Sequence, residues 1–264
     1  MTFKRTEFTS GLIITTILLG LLAGCGGTTM KIYPTADEQY SYSMNEYGKR
    51  HYLKAIDGFQ KLIYNFSGAA MVDSAQFYLA QSYYSQKDYY MAAAEFERLV
   101  NTYPGSPFVD NSQYMTGLCY FKSSPGNYGL DQTELLRAIK ALEDFITDYP
   151  ESDANEDARA ALDAARERLA KKRFESGRTY LRLSYYDSAD IYFQTVIDEH
   201  TDSEWSARAL FYQGELNFKR GKFEEALQKF NNFMVVYPGH ELVDKARQMV
   251  GKTNKKLAET TEKE

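Results

Sequence analysis

The stretch GELNFKRGKFEEALQKFNNFMVVYPG, residues 214–239, decides the fold. Nine positions after the small residue Gly214 comes a ring, Phe223, followed by Ala226, Phe230 and the turn Tyr237-Pro238-Gly239. Apolar positions three and four apart make each half an amphipathic helix, and the Pro-Gly pair stops the second one. The same ladder recurs upstream. Small residues stand at Ser43, Ala80 and Gly117, 37 apart, and again at Gly177 and Gly214, also 37 apart. Tyr52, Tyr89 and Tyr186 repeat the ring; Ala55, Ala92 and Ala189 repeat the alanine; Phe59, Phe96 and Phe193 repeat the phenylalanine. The turn returns as Tyr103-Pro104-Gly105 and Tyr149-Pro150-Glu151. In the third copy an insertion at about 122–133 separates Gly117 from Leu135, Ala138, Leu142 and Phe145.

Five helical hairpins follow. No single hairpin can bury its apolar face, so stacking neighbours makes the core, and Ala80, Gly117, Gly177 and Gly214 are the positions where the two helices of a unit approach closely. The pattern resembles the tetratricopeptide repeat, with its weakest points at Ser67 and Thr201, where the terminal proline is missing. The expected fold is an all-α superhelical array of five such hairpins with a C-terminal capping helix from Glu241 to about Leu257. Units one to three occupy 35–151. Residues 152–258 hold a long connecting helix, free of proline from Ser152 to Tyr180, then units four and five and the cap. The last residues, 259–264, are expected to be disordered.

The N-terminus is of another kind. Lys4 and Arg5 precede an uncharged stretch from Phe8 to Leu22, the layout of an export signal, and Leu21-Leu22-Ala23-Gly24-Cys25 resembles the bacterial lipobox. Residues 1–24 are then a cleaved signal peptide, Cys25 carries lipid, and 25–34, opening with Gly26-Gly27-Thr28-Thr29, form a flexible tether. Several acyl chains, each buried methylene adding about 0.8 kcal/mol, hold such a protein firmly to a membrane. Gly26 in place of an Asp after the cysteine resembles the class sorted to the outer membrane. Among 264 residues the net charge is −5, an acidic balance that gives no reason to expect nucleic acid. Apart from Cys25 only Cys119 is present, so the mature chain is expected to have no internal disulfide and Cys119 is read as a core thiol.

Catalytic and metal chemistry find no support. His51, His200 and His240 are scattered without a His-Glu-x-x-His pattern, and no Gly-x-Ser-x-Gly elbow or glycine-rich phosphate loop occurs. The expectation is a protein without enzyme activity, cofactor or metal. The basic run Arg166, Arg168, Lys171, Lys172 and Arg173 alternates with Glu167 and Glu175 and reads as a solvated helix stripe. Trp205 is either an interface anchor or packed between helices.

Stacked hairpins curve, and first helices make the concave face. Tyr42, Tyr78, Tyr84 and Tyr114 lie on or near those helices in units one to three and are the candidate groove residues, since tyrosine offers a large ring and a hydroxyl. Tyr83 and Tyr120 are expected to be buried, and repeat core is the competing reading for any of these rings.

Three segments carry a closer resemblance: Tyr114-Met115-Thr116-Gly117-Leu118, Leu130-Asp131-Gln132-Thr133 within the insertion, and Arg168-Leu169-Ala170-Lys171. They are similar to the BamD (YfiO) family of outer-membrane assembly lipoproteins. The resemblance implies a lipid-anchored scaffold on the periplasmic face of the outer membrane, a subunit of the machine that inserts β-barrel proteins. Its C-terminal units would hold a BamA-like barrel protein and its N-terminal units would engage segments of unfolded outer-membrane proteins. The insertion Gly126-Asn127-Tyr128-Gly129-Leu130-Asp131-Gln132 lacks that family's Arg/Asp-rich patch, and Tyr192 stands where a basic residue is expected. A generic lipid-anchored periplasmic adaptor for cell-wall enzymes would share the anchor and the repeats but not the three segments.

Overall fold

A computed structural model describes residues 35–261 of the chain. The leader, Cys25 and the tether lie outside the described residues. Those described form an all-α array of five hairpins and a cap, the fold that the ladder implies. The first hairpin is α1 (Ala36–Gly48) with α2 (Tyr52–Asn65), the second α3 (Val72–Ser85) with α4 (Tyr89–Thr102), and the third α5 (Val109–Ser123) with α6 (Thr133–Asp148). The fourth pairs the long α7 (Asn155–Arg182) with α8 (Tyr186–Glu199), the fifth α9 (Glu204–Lys219) with α10 (Phe223–Val236), and α11 (Val243–Thr261) closes the stack. Consecutive helices pack on one another throughout.

Each rung of the ladder does a physical job. Ala55, Ala92, Ala138, Ala189 and Ala226 are fully buried, as are Phe59, Phe96, Phe193 and Phe230. A buried phenylalanine contributes roughly 1.5–3 kcal/mol through the area it removes from water. The small residue opposite makes room for it. A Cβ on Gly177 would come within 2.7 Å of Phe193 Cε1, and one on Gly117 within 2.8 Å of Leu142 Cγ, because leucine takes the phenylalanine's place in the third unit. In the first unit the arrangement is reversed: Ser43 stands on α1, its hydroxyl donating to Gln39 O at 2.7 Å, and Gly58 on α2 gives way to it.

In units one, two and five the ring after the intra-unit turn closes that turn. Tyr52 meets Tyr47 at 5.8 Å, Tyr89 meets Tyr84 at 5.4 Å and Phe223 meets Phe218 at 5.6 Å, all edge to face. Beneath the ring pair the chain leaves the helix through a left-handed residue. Arg50, Lys87, Ser184 and Gly221 have φ of 60°, 63°, 62° and 77°. At the first of these turns His51 N–H donates to Glu46 O and Arg50 N–H to Tyr47 O, which satisfies two orphan carbonyls at the helix end. Glycine takes this conformation freely, whereas an L side chain pays about 1 kcal/mol, a cost that three of the four turns bear.

Two boundaries move. The capping helix begins at Val243 and runs to Thr261, so 259–261 are helical and not disordered as expected. Lys256 pairs with Glu259 at 2.8 Å and the Thr260 hydroxyl donates to Lys256 O at 2.9 Å, interactions that extend the helix past its last buried residue, Thr253. Residues 262–264 lie outside the described residues. No helix among the described residues is long and apolar enough to cross a membrane.

Candidate functional site

The first helices of units one to three present two aromatic columns. Tyr40, Phe77 and Tyr114 are 37 residues apart, and Tyr47, Tyr84 and Phe121 repeat the spacing seven residues further along each helix. Seven residues are two helical turns, so both members of each pair share a face. All six rings are half-buried, packed at their bases on the unit cores. Phe77 stacks on Phe108 at 4.6 Å, and the Tyr40 hydroxyl lies 2.6 Å from Ser74 Oγ. Burial pushes the Tyr84 hydroxyl up to about 12, with Cys119, Tyr89 and Tyr114 adding to the shift, so it stays a neutral donor. The corresponding residues of units four and five, Phe174 and Phe211, are fully buried, the first beneath Trp205 and Tyr212 at 5.3 Å each. At the second column's register Leu181 is buried and Phe218 half-buried, so the two columns run side by side only through units one to three.

Two of the four candidate groove tyrosines, Tyr84 and Tyr114, fall on these columns. Tyr78 follows Phe77 and turns inward, its ring 5.3 Å from Tyr47 and 6.2 Å from Phe59. Tyr42 leaves the set: it lines a depression on α1 with Asp37, Glu38, Ser41 and Asn45, two residues and therefore more than half a turn from Tyr40. Tyr120 is buried as expected and donates to Glu97 Oε1 at 2.5 Å under the Arg137 guanidinium, 4.9 Å from its ring. Tyr83 is only half-buried, and its hydroxyl accepts from Gln60 Nε2 at 3.0 Å. Cys119 is a core thiol, held up at about 12 by burial. The columns could have been read from the period, but tyrosine and phenylalanine are mixed in them and a search by residue type passes them over.

The basic run proves to be structural. Arg166 pairs with Glu143 at 2.8 Å, Arg173 with Glu199, and Lys171 sits 5.6 Å over the Trp205 ring. Trp205 itself is half-buried against Phe174. Among the described residues no group of three or more His, Cys, Asp or Glu side chains is placed to hold a metal ion.

A family model described as YfiO, outer membrane lipoprotein, matches residues 34–226. The chain belongs to the YfiO family. A protein of Caulobacter vibrioides named outer membrane protein assembly factor BamD is 32% identical over 109 residues, which cover 41% of this chain and 35% of that relative. A Rickettsia prowazekii protein of the same name is 25% identical over 248 residues, 94% of this chain and 98% of the relative. Among solved structures, the TPR2AB-domain:pHSP90 complex of yeast Sti1 superposes with a TM-score of 0.40 at 16% identity, over 86% of each chain.

In this YfiO-family chain the three quoted segments converge on the insertion. Gly117 lets α5 and α6 close together beneath it. Asp131 Oδ1 accepts from Thr133 N–H at 2.5 Å, which starts α6. The Gln132 side chain, buried inside the loop, donates to Asn127 O at 3.1 Å and Leu130 O at 3.2 Å. From α7, Arg168 lies 4.4 Å over the Phe121 ring and donates to Ser124 Oγ at 2.8 Å, and Lys172 donates to Leu130 O at 2.8 Å. The loop is thus fastened to the connecting helix at both ends.

His200, in the turn after α8, is the titratable group of that region. Burial first, and then the charge of Arg173 3.1 Å from its Nε2, lower its pKa from 6.5. The unfolded chain therefore takes up the proton before the folded one does. Stability is fullest above pH 6.5 and falls as the pH drops through the lowered folded value. Urea unfolding of a His200→Gln variant is expected to show a shallower loss of stability between neutral and mildly acid pH than the parent; parallel curves would contradict this assignment.

Proposed function

We propose that this chain is a non-enzymatic, lipid-anchored scaffold of the outer-membrane β-barrel assembly machine. It is held through Cys25 on the periplasmic face, engages a BamA-like barrel protein through units four and five, and receives unfolded outer-membrane protein segments along units one to three. The observation that carries the substrate half is the pair of half-exposed columns, Tyr40, Phe77 and Tyr114 beside Tyr47, Tyr84 and Phe121; of their counterparts in units four and five, Phe174, Leu181 and Phe211 are sealed and Phe218 alone is half-exposed. Strands of membrane barrels alternate apolar and polar residues. A wall of rings with hydroxyls accepts the apolar side chains of such a strand and offers hydrogen bonds to its backbone. The family membership and the name borne by both relatives support the same reading.

Purification of the tagged, lipidated chain from mildly solubilised envelopes is expected to yield a BamA-like barrel protein in near-equal amount. Recovery of cell-wall enzymes in its place overturns the assembly reading in favour of a general adaptor. For the groove, a labelled peptide of alternating aromatic and polar residues is expected to bind about tenfold more weakly to a Phe77→Ser, Tyr84→Ser variant, since buried aromatic anchors dominate such contacts. Unchanged affinity would remove the columns from the site.

A further inference from the structure

The two halves of the array meet along α7, at the step from unit three to unit four. On one side of it a cleft of about 790 Å³ opens between α6, α7 and the turn from α8 to α9. Leu136, Ile139 and Leu169 give it an apolar lining, and Leu136 is 51% exposed, an unusual position for a leucine beside the core. Five carboxylates surround that lining: Glu143, Asp163, Glu167, Glu199 and Asp202. Only two guanidiniums face them, and both are committed, Arg166 to Glu143 and Arg173 to Glu199. Asp163, Glu167 and Asp202 are exposed and make no ion pair among the described residues, so the cleft keeps an excess of negative charge over a patch of apolar surface.

We propose that this cleft docks a basic, extended segment of a partner protein, in which lysine or arginine alternates with an apolar residue. Charge complementarity selects the occupant. An acidic segment would face three uncompensated carboxylates, whereas a basic one pairs with Asp163, Glu167 and Asp202 while its apolar side chains cover Leu136. The volume is that of a cleft able to seat a few side chains. His200 adds no opposing charge near neutrality, because it is buried beside Arg173. A segment lying here touches unit three, the connecting helix and the α8–α9 turn together, so it braces the step between the halves. The inference stands apart from the assembly-machine reading, since it rests on the step and on neither the aromatic columns nor the anchor.

The test uses the full mature chain and two labelled hexapeptides, alternating Lys-Leu and alternating Glu-Leu, with binding read by fluorescence anisotropy. The cationic peptide is expected to bind and the acidic one not. A variant carrying Asp163→Asn, Glu167→Gln and Asp202→Asn, all exposed positions that leave packing intact, should bind the cationic peptide about tenfold more weakly. A variant with three exposed carboxylates changed elsewhere, Glu151→Gln, Asp153→Asn and Glu156→Gln, should bind like the parent. Leu136→Ser should abolish the preference for Lys-Leu over Lys-Gly peptides. Equal weakening by both triple variants would mean bulk charge attraction and overturn the proposal. So would no weakening by either, or a dimer of this chain that the cleft variant dissolves.

Discussion

Replacing Gly214 by leucine lowers the free energy of unfolding by about 3 kcal/mol, the upper range for overpacking a closed core. A Cβ at this position would stand 2.6 Å from Phe230 Cε1 and 2.7 Å from its Cδ1. Phe230 cannot retreat, because it is fully buried and its ring is 5.5 Å from Phe211, which is itself buried against Phe233. The extra atoms must therefore push α9 away from α10, which opens the hairpin of the fifth unit. Gly251 on α11 is the control. No atom lies within 4 Å of a Cβ placed there, so Gly251→Ala fills no forbidden space and removes the entropy cost of a helical glycine, raising stability by roughly 0.5–1 kcal/mol. Urea denaturation followed by circular dichroism measures both. A Gly214→Leu protein as stable as its parent would mean that the hairpin does not depend on close approach at this rung.

The ladder was legible because its contacts are made by side chains at fixed spacing: a small residue, a ring, an alanine and a phenylalanine each leave a letter in the chain. What stayed hidden was made by backbone or by distant pieces. Four turns pass through the left-handed region, yet only Gly221 announces it; Arg50 and Lys87 are held in the same conformation under a ring pair, and Ser184 by the turn's backbone bonds, from its own N–H to Leu181 O and from Tyr185 N–H to Tyr180 O. Of the candidate groove tyrosines, Tyr84 and Tyr114 share the register of the columns, whereas Tyr42 stands two residues from Tyr40 and off it. The cleft at the step draws on residues from Leu136 to Ser203 in three separate elements, and no local pattern could assemble it. The basic run was read as a solvated stripe. Its charges in fact reach α6, the insertion loop, the fourth unit and the Trp205 ring of the fifth, a consequence of where α7 lies rather than of its sequence.

Lys171→Pro should uncouple the two halves of the protein. The first three units and the last two meet chiefly through α7, which packs on α5 and α6 as far as Leu169 and on α8 and α9 from Phe174 onward. Lys171 lies on its exposed side, near the middle of the 28-residue helix. Proline there deletes the bond from the amide of residue 171 to Glu167 O and drives its ring against that carbonyl, at a cost of about 3 kcal/mol. Because the side chain faces solvent, the damage is to the helix axis and not to the packing of either half. Unfolding of the parent is expected to be one transition, as contacts run unbroken from unit to unit; in the variant the halves should melt separately, and small-angle scattering should report a changed maximum dimension. A single transition with unchanged scattering would show that the halves are held by something other than this helix. The functional consequence follows from geometry. Under the proposed function, a rigid α7 would fix the distance between the aromatic columns on units one to three and the proposed partner surface of units four and five, so that a segment received on one would be presented at a set position to the other. In the proline variant each half should still bind its own ligand, the alternating peptide or the barrel partner, while insertion of barrel proteins in reconstituted vesicles falls.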